Sequence, residues 1–187
     1  VLVELERETR SQSTRLDSMD IELSEMDSLI GQLLAQSRLE LMEPLLRILP
    51  AAEVAQTLLE RVGMPTTLLI DQSQGAKVSA DLSLLGRALL NVADNAQRHG
   101  EGLVALELRT ESDLVQFEFR DHGPGFDVTM LQRALEPFVG KSEGGGLGLG
   151  LSLVDRIVRA HAGRVRLANG TDGGAIVTVE LPLISGQ

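Results

Sequence analysis

Cysteine is absent from the 187 residues, which excludes disulfide scaffolds, thiolate zinc sites, iron–sulfur clusters and a cysteine nucleophile. Tryptophan and tyrosine are absent too, and four phenylalanines are the whole aromatic complement. A platform for stacking single-stranded bases therefore has no material. Basic residues are the minority, 17 Lys and Arg against 27 Asp and Glu, for a formal charge of -10. A sequence-independent nucleic-acid binder needs a phosphate-neutralising excess, and here the sign is reversed, so no nucleic-acid partner is expected. No run approaches the roughly 18 apolar residues of a membrane span, and no signal-peptide pattern opens the chain, so these residues should make no membrane contact. The first residue is Val1 rather than Met, and the chain reads as a piece of a longer protein. Apolar residues make up 43%, enough for a packed core.

Residues 1–43 hold one glycine, Gly31, and no proline. Leu16, Met19, Leu23, Met26, Ile30 and Leu33 step alternately by three and four, the spacing of a coiled-coil seam. Asp17, Asp20, Glu22, Glu25 and Asp27 occupy the other face. Either one long helix starts near residue 1 or a turn falls around Ser11–Thr14; in both cases a hairpin or homodimer through the seam is expected. Pro44 and Pro50 mark the boundary to a second unit, residues 44–187, with Leu45–Leu49 a short strand or linker. Helical spacing covers Ala51–Val62, Leu82–Arg98, Val128–Leu135 and Leu151–His161, with Gly63, Gly100 and Gly163 as stops. Thr67–Asp71 and Ala76–Ala80 read as short strands around a turn. Leu103–Thr110 with Leu114–Arg120, and Arg164–Ala168 with Ala175–Leu181, read as hairpins. Adjacent antiparallel strands mixed with helices argue against a doubly wound fold. They predict an α+β two-layer sandwich, a mixed and mainly antiparallel sheet packed on helices, preceded by a long coiled-coil-like helix.

Three clusters carry chemistry. Asn91 and Asn95 lie one turn apart on one helix face, where amide oxygens can ligate a hard cation; Arg98 and His99 add donors suited to phosphate. A polar helix end capped by Gly100 is the plainer reading of the same residues. Asp121 ends a strand and runs into His122-Gly123-Pro124-Gly125-Phe126, where glycines let backbone approach a flat ligand and the carboxylate can accept from an adenine amino group. An ordinary Asp turn is the alternative. Gly144, Gly145, Gly146, Gly148 and Gly150 precede a helix, and their amides can surround phosphate at its N-terminus. Gly140-Lys141-Ser142 is no P-loop, because Leu135 stands where the motif needs glycine. Asn169-Gly170-Thr171 matches a glycosylation acceptor by chance. His122 reads as a loop histidine and His161 as a partner of its helix's C-terminal dipole.

Asn95, Asp121 and Gly146 follow one another at near-equal intervals. In this order the clusters resemble the catalytic, ATP-binding domain of bacterial sensor histidine kinases, over most of residues 45–187. Asn91–His99 is similar to that family's N box, Asp121–Gly125 to its D-x-G-x-G box, Glu136-Pro137-Phe138 to its F box and Gly146–Gly150 to its G-x-G-x-G box. Gly173-Gly174-Ala175 and Leu181-Pro182 resemble its terminal strand. Met26–Glu40 resembles the second half of the dimerisation and histidine-phosphotransfer hairpin, whereas the phosphoacceptor histidine box has no counterpart: the histidines are His99, His122 and His161.

The resemblance implies Mg-ATP as ligand. Asn95 would hold Mg²⁺, with Asn91 close by. Asp121 would take the adenine amino group, with Gly123 and Gly125 lining the adenine slot. Arg98 and His99 would lie along the phosphates. Gly146, Leu147, Gly148, Leu149 and Gly150 would form the base of a lid that carries Lys141 as its basic residue, where relatives often place an Arg. It also implies phosphoryl transfer to a hairpin histidine and on to a response regulator receiver domain, in the cytoplasmic portion of an inner-membrane sensor. This piece, lacking the acceptor box, is not expected to phosphorylate itself. Two other readings stand beside it. In one the nucleotide site is vestigial and the chain is a scaffold dimerising through its coiled coil. In the other it is an ATPase of the superfamily that includes DNA gyrase and MutL, whose members generally place a Glu base where Asn91 stands.

Overall fold

A computed structural model describes residues 43–139 and 148–184, together with Met19, Met26, Ile30, Gly31, Leu34 and Ser37. The seam positions Leu16, Leu23 and Leu33 lie outside the described residues. The six described positions of the N-terminal segment are helical. Met19, Met26 and Ile30 expose 57%, 57% and 52% of their surface in the single chain.

Residues 47–182 alternate strands and helices: β1 (Arg47–Pro50), α1 (Ala51–Arg61), β2 (Leu69–Gln72), β3 (Lys77–Ala80), α2 (Leu82–His99), β4 (Leu103–Glu111), β5 (Leu114–Asp121), α3 (Val128–Arg133), α4 (Gly150–Ala160), β6 (Arg164–Asn169) and β7 (Ala175–Pro182). Five strands form one sheet in the order β2-β4-β5-β7-β6, and β1 pairs with β3 in a separate ribbon. Only β2 runs parallel to its neighbour, Leu69 opposite Leu106; the other pairs are antiparallel. The expected α+β two-layer architecture is what the chain adopts.

Alternation along the strands decides which face is covered. Leu106, Leu108, Val115, Phe117, Phe119, Val177, Val179 and Leu181 are buried and share the face on which α1, α2 and α4 lie. Those helices return Leu59, Leu85, Leu89, Val92 and Ile157, all at most 1% exposed. Each such side chain contributes about 1.5–3 kcal/mol by leaving water. The intervening strand residues form a bonded lattice on the opposite face. Glu180, fully buried, receives Gln116 Nε2 at 3.0 Å and the Arg164 and Arg166 guanidiniums; Glu118 receives Arg109 and Arg120, each at 2.6 Å. Buried carboxylates are tolerable there because every one is met by donors.

Helix ends follow their local chemistry. Gly63, at φ +68, closes α1: its N–H donates to Glu60 and that of Met64 to Leu59 at 2.8 Å, the paired bonds of a Schellman motif. Asp81 caps α2 by accepting from Ser83 and Leu84 N–H, and Asp127 caps α3 by accepting from Met130.

Three details lie beyond what the local sequence gives. The segment at Thr67 begins as a 3-10 turn, Thr66–Leu68, and the strand proper starts at Leu69. The strands either side of the Gln72–Gly75 turn do not pair with each other but enter different sheets. Ser73 N–H folds onto the Asp71 carboxylate and Ala76 N–H closes a turn onto the Ser73 carbonyl, and beyond it the chain diverges, Leu69–Gln72 pairing with β4 and Lys77–Ala80 with β1. His161 lies at the end of α4 as read, but it is buried and its bonds reach beyond its own helix. It is 3% exposed, its Nε2 accepts from Asp81 N–H at 3.0 Å, and its Nδ1 lies 2.7 Å from the Ile157 carbonyl. That bonding assigns the Nδ1–H tautomer, with the ring latching the end of α4 to the start of α2.

Candidate functional site

Helix α2 brings Asn91, Asn95, Arg98 and His99 to its C-terminal end. Asn91 is 5% exposed and its Nδ2 has no hydrogen-bond partner among the described residues. An unpaired amide in the interior costs about 1–3 kcal/mol, an orphan a polar ligand could satisfy. Asn95, one turn on, is half-buried and faces the same way, while Arg98 and His99 are exposed.

The 121–126 loop is seated on that helix end. His122 N–H donates to the Gly100 carbonyl at 2.9 Å. A Cβ on Gly100 would overlap the Asp121 carboxyl, and one on Gly123 would sit 2.6 Å from Gly100 Cα and 2.7 Å from the His99 carbonyl. Glycine is needed at both positions for the approach to occur. Asp121 thus lands beside the last turn of α2, although the sequence separates the two by a whole hairpin.

The two oxygens of Asp121 are not equivalent. Oδ1 accepts from Gly123 N–H at 3.0 Å and from Ala175 N–H at 2.7 Å. Oδ2 accepts from no donor among the described residues, and Asp121 is half-buried. One oxygen anchors the carboxylate, leaving the other as an oriented acceptor for a ligand N–H.

The third cluster is described in part. Gly148, Leu149 and Gly150 are described; Lys141, Gly146 and Leu147 lie outside the described residues. Gly148 is left-handed at φ +68, its carbonyl accepts from Phe138 N–H at 3.0 Å, and a Cβ on it would overlap the Val139 carbonyl. The two flanks of segment 140–147 are therefore clasped together, with Glu136-Pro137-Phe138 forming one side. Arg133 forks onto Glu136 Oε2 at 3.0 and 2.9 Å, and this bond and charge hold its guanidinium above its ordinary pKa. Helix α4 begins at Gly150 with no side-chain cap and no acidic residue in its first turn. Its opening amides present partial positive charge to whatever lies before them.

His122 is an exposed loop residue, as read from the sequence. The residue that sequence reasoning passed over is Asn169, whose side chain bonds Phe126 on both sides, N–H to Oδ1 at 2.7 Å and Nδ2 to the carbonyl at 2.8 Å. Its Asn-Gly-Thr context was a chance match to a glycosylation acceptor, and a partner 43 residues away leaves no local pattern.

With this geometry in view, comparison with known proteins is direct. Residues 80–185, more than half of the chain, match the family model for histidine kinase-, DNA gyrase B- and HSP90-like ATPases. A sensor histidine kinase component, HK1, of Mycobacterium tuberculosis is 39% identical over 108 residues, 56% of this chain and 64% of that protein. The sensor protein BasS of Salmonella typhimurium is 33% identical over 166 residues, 84% of this chain and 46% of its own length. The chain thus spans less than two thirds of these curated relatives. Among solved structures, the mycobacterial sensor histidine kinase MprB superposes with a TM-score of 0.60 at 26% identity, over 76% of this chain and all of that one. Full-length ShkA in complex with AMPPNP superposes at 0.66 and 25% identity, over 85% of this chain and 36% of that one. The chain belongs to the histidine kinase-, DNA gyrase B- and HSP90-like ATPase family, and its two-layer unit is an ATP-binding domain of the sensor histidine kinase kind.

Proposed function

We propose that the chain binds Mg-ATP between the end of α2, the 121–126 loop and the start of α4. Within a longer protein it would present the γ-phosphoryl to a histidine on a dimerisation hairpin. The observation that carries this reading is the free Oδ2 of an otherwise anchored Asp121: an adenine amino group donates and cannot accept usefully, so it needs such an oxygen. Gly123 and Gly125 let the loop lie directly on its supports, where a Cβ would collide with the His99–Gly100 backbone and with Asn169 and Gly174. At the opposite end, the uncapped amides of α4 suit phosphate oxygens, and Arg98 and His99 supply further donors. A related kinase solved with AMPPNP supports the same ligand class.

The donor set also fits Mg²⁺. Asn95 is half-buried one turn from the buried Asn91, whose unpaired Nδ2 can donate to a phosphate oxygen or to water on the ion. Asn95 would hold the ion through its carbonyl oxygen, with phosphate oxygens and water completing the shell. Once bound, the ion neutralises phosphate charge.

Transfer asks positioning and charge stabilisation of this domain rather than covalent work. An imidazole nitrogen of the acceptor histidine forms a bond to the γ-phosphorus as the bond to the β–γ bridging oxygen breaks and ADP departs. The phosphoryl then passes to an Asp of a response regulator receiver domain. Residues 1–43 contain no histidine, so self-phosphorylation of this piece is not expected. Asn91 is no base, so free hydrolysis should be feeble. Residues 1–43 belong in this reading to the dimerisation hairpin, with Met19, Met26 and Ile30 in a homodimer seam, and the protein to the cytoplasmic side of an inner-membrane sensor. No described helix is long and apolar enough to cross a membrane.

Calorimetric titration with ATP tests the reading. Binding that requires Mg²⁺ and disappears in Asp121→Ala is the expected result. Absence of magnesium-dependent binding, or binding indifferent to Asp121→Ala, would instead favour a scaffold that dimerises through the N-terminal segment. Rapid ATP turnover would favour a free-standing ATPase.

A further inference from the structure

We infer that Asn169, at the end of edge strand β6, is a positioning residue for the adenine slot, so that the β6–β7 turn helps set affinity for the base end of the nucleotide. The inference rests on the ATP reading above and concerns a residue outside all four boxes. Asn169 pairs along its backbone with Ala175 inside its own hairpin, yet its side chain leaves the hairpin. It takes Phe126 N–H on Oδ1 at 2.7 Å and gives Nδ2 to the Phe126 carbonyl at 2.8 Å. A primary amide presents its oxygen and its NH₂ side by side in one plane, and here they meet the N–H and C=O of a single residue; only one orientation of the amide satisfies both. The side chain acts as one rung of a β-ladder for a segment that has no strand beside it.

The contact is close enough to dictate the loop's composition. A Cβ on Gly125 would stand 2.7 Å from Asn169 Oδ1 and 3.1 Å from the Gly174 carbonyl, and Gly125 is left-handed at φ +77. The same turn holds Asp121 at a second point. Ala175 N–H donates to Asp121 Oδ1, and Gly174, also at φ +77, lies where a Cβ would overlap the Asp121 carbonyl. The turn itself is tied by Gly170 N–H to the Gly174 carbonyl at 3.0 Å. It therefore grips the slot twice, once at the carboxylate and once, through Asn169, at the loop that carries Gly123 and Gly125. Without the second grip the bonds left on the loop among the described residues are Gly123 N–H on Asp121 and His122 N–H on Gly100, and the slot must be ordered by the ligand at a cost in affinity.

Titration of the whole chain with Mg-ATP, and competition by Mg-tripolyphosphate, separates the base end from the phosphate end. Asn169→Ala should weaken ATP about tenfold, the loss of two neutral hydrogen bonds. Tripolyphosphate should change by less than about twofold, and the thermal midpoint by no more than a few degrees. Asn169→Asp keeps the acceptor but turns a carboxylate oxygen toward the Phe126 carbonyl, and should weaken ATP at least as much. Unchanged ATP affinity in either variant overturns the inference, as does a parallel fall for both ligands with a collapse of the midpoint, which marks a merely structural role. Failure of the unsubstituted chain to bind ATP overturns the proposed function, and the inference with it.

Discussion

The two ends of the candidate site are built on opposite principles. At the Asp121 end the backbone donors are consumed by the protein: Gly123 and Ala175 donate to Asp121 Oδ1, His122 to Gly100, Phe126 to Asn169. What remains for a ligand is an acceptor. At the α4 end the donors are left over, because Leu149 offers no side-chain cap and no acid stands in the first turn. Helices α2 and α3 of the same molecule do receive Asp caps. One end therefore offers oxygen to a donor and the other offers N–H to an anion, the polarity of a nucleotide laid from amino group to phosphate.

Breaking the acceptor end should have the largest effect. Asp121→Asn preserves an oxygen for Gly123 and Ala175 but sets an NH₂ against the adenine amino group. Losing a charge-assisted bond and gaining a donor clash should weaken ATP by about a hundredfold, read by calorimetry. Next comes the clasp at the other end. Gly148→Ala forces a Cβ into the Val139 carbonyl at φ +68, a strain of roughly 1–3 kcal/mol. ATP affinity should fall about tenfold while adenosine affinity holds, and equal losses for both ligands would erase the distinction between the ends. His161→Ala touches neither end. It strands the buried Asp81 N–H and should lower unfolding stability by about 1–3 kcal/mol in urea melts, with the ATP to tripolyphosphate affinity ratio unchanged. Least of all, Arg133→Ala removes an exposed pair with Glu136 and should leave the midpoint of unfolding where it was.

Much of this was legible before any coordinates. Helices α1, α2 and α4 announce themselves through apolar spacing and glycine stops and the short α3 through spacing alone, and their observed limits differ from the expected ones by a residue or two. At α3 the helix stops at Arg133 because Glu136 N–H turns back on the Arg133 carbonyl and Pro137 follows. The placement of Asn91 and Asn95 on one helix face, of Asp121 at a strand end and of Gly148 before a helix was legible because each depends on a short window of sequence. What was hidden depends on distant pairing. Nothing near Leu69 or Lys77 says that one strand joins β4 and the other β1. Nothing near His161 points to an N–H 80 residues away, and an isolated histidine at a helix end reads only as a partner of that helix's dipole. Asn169 is the clearest case: its sequence context suggested a chance glycosylation motif, and its bonds go to a loop elsewhere in the chain.

The central claim is that Asp121 Oδ2 reads the 6-amino group of adenine. Binding of Mg-ATP and of the triphosphate of purine riboside, which lacks that amino group, measured side by side on the unsubstituted chain and on Asp121→Asn, tests it most directly. The account predicts that the unsubstituted chain prefers ATP by about tenfold or more and that the preference vanishes in Asp121→Asn; equal affinity for the two nucleotides on the unsubstituted chain would contradict it.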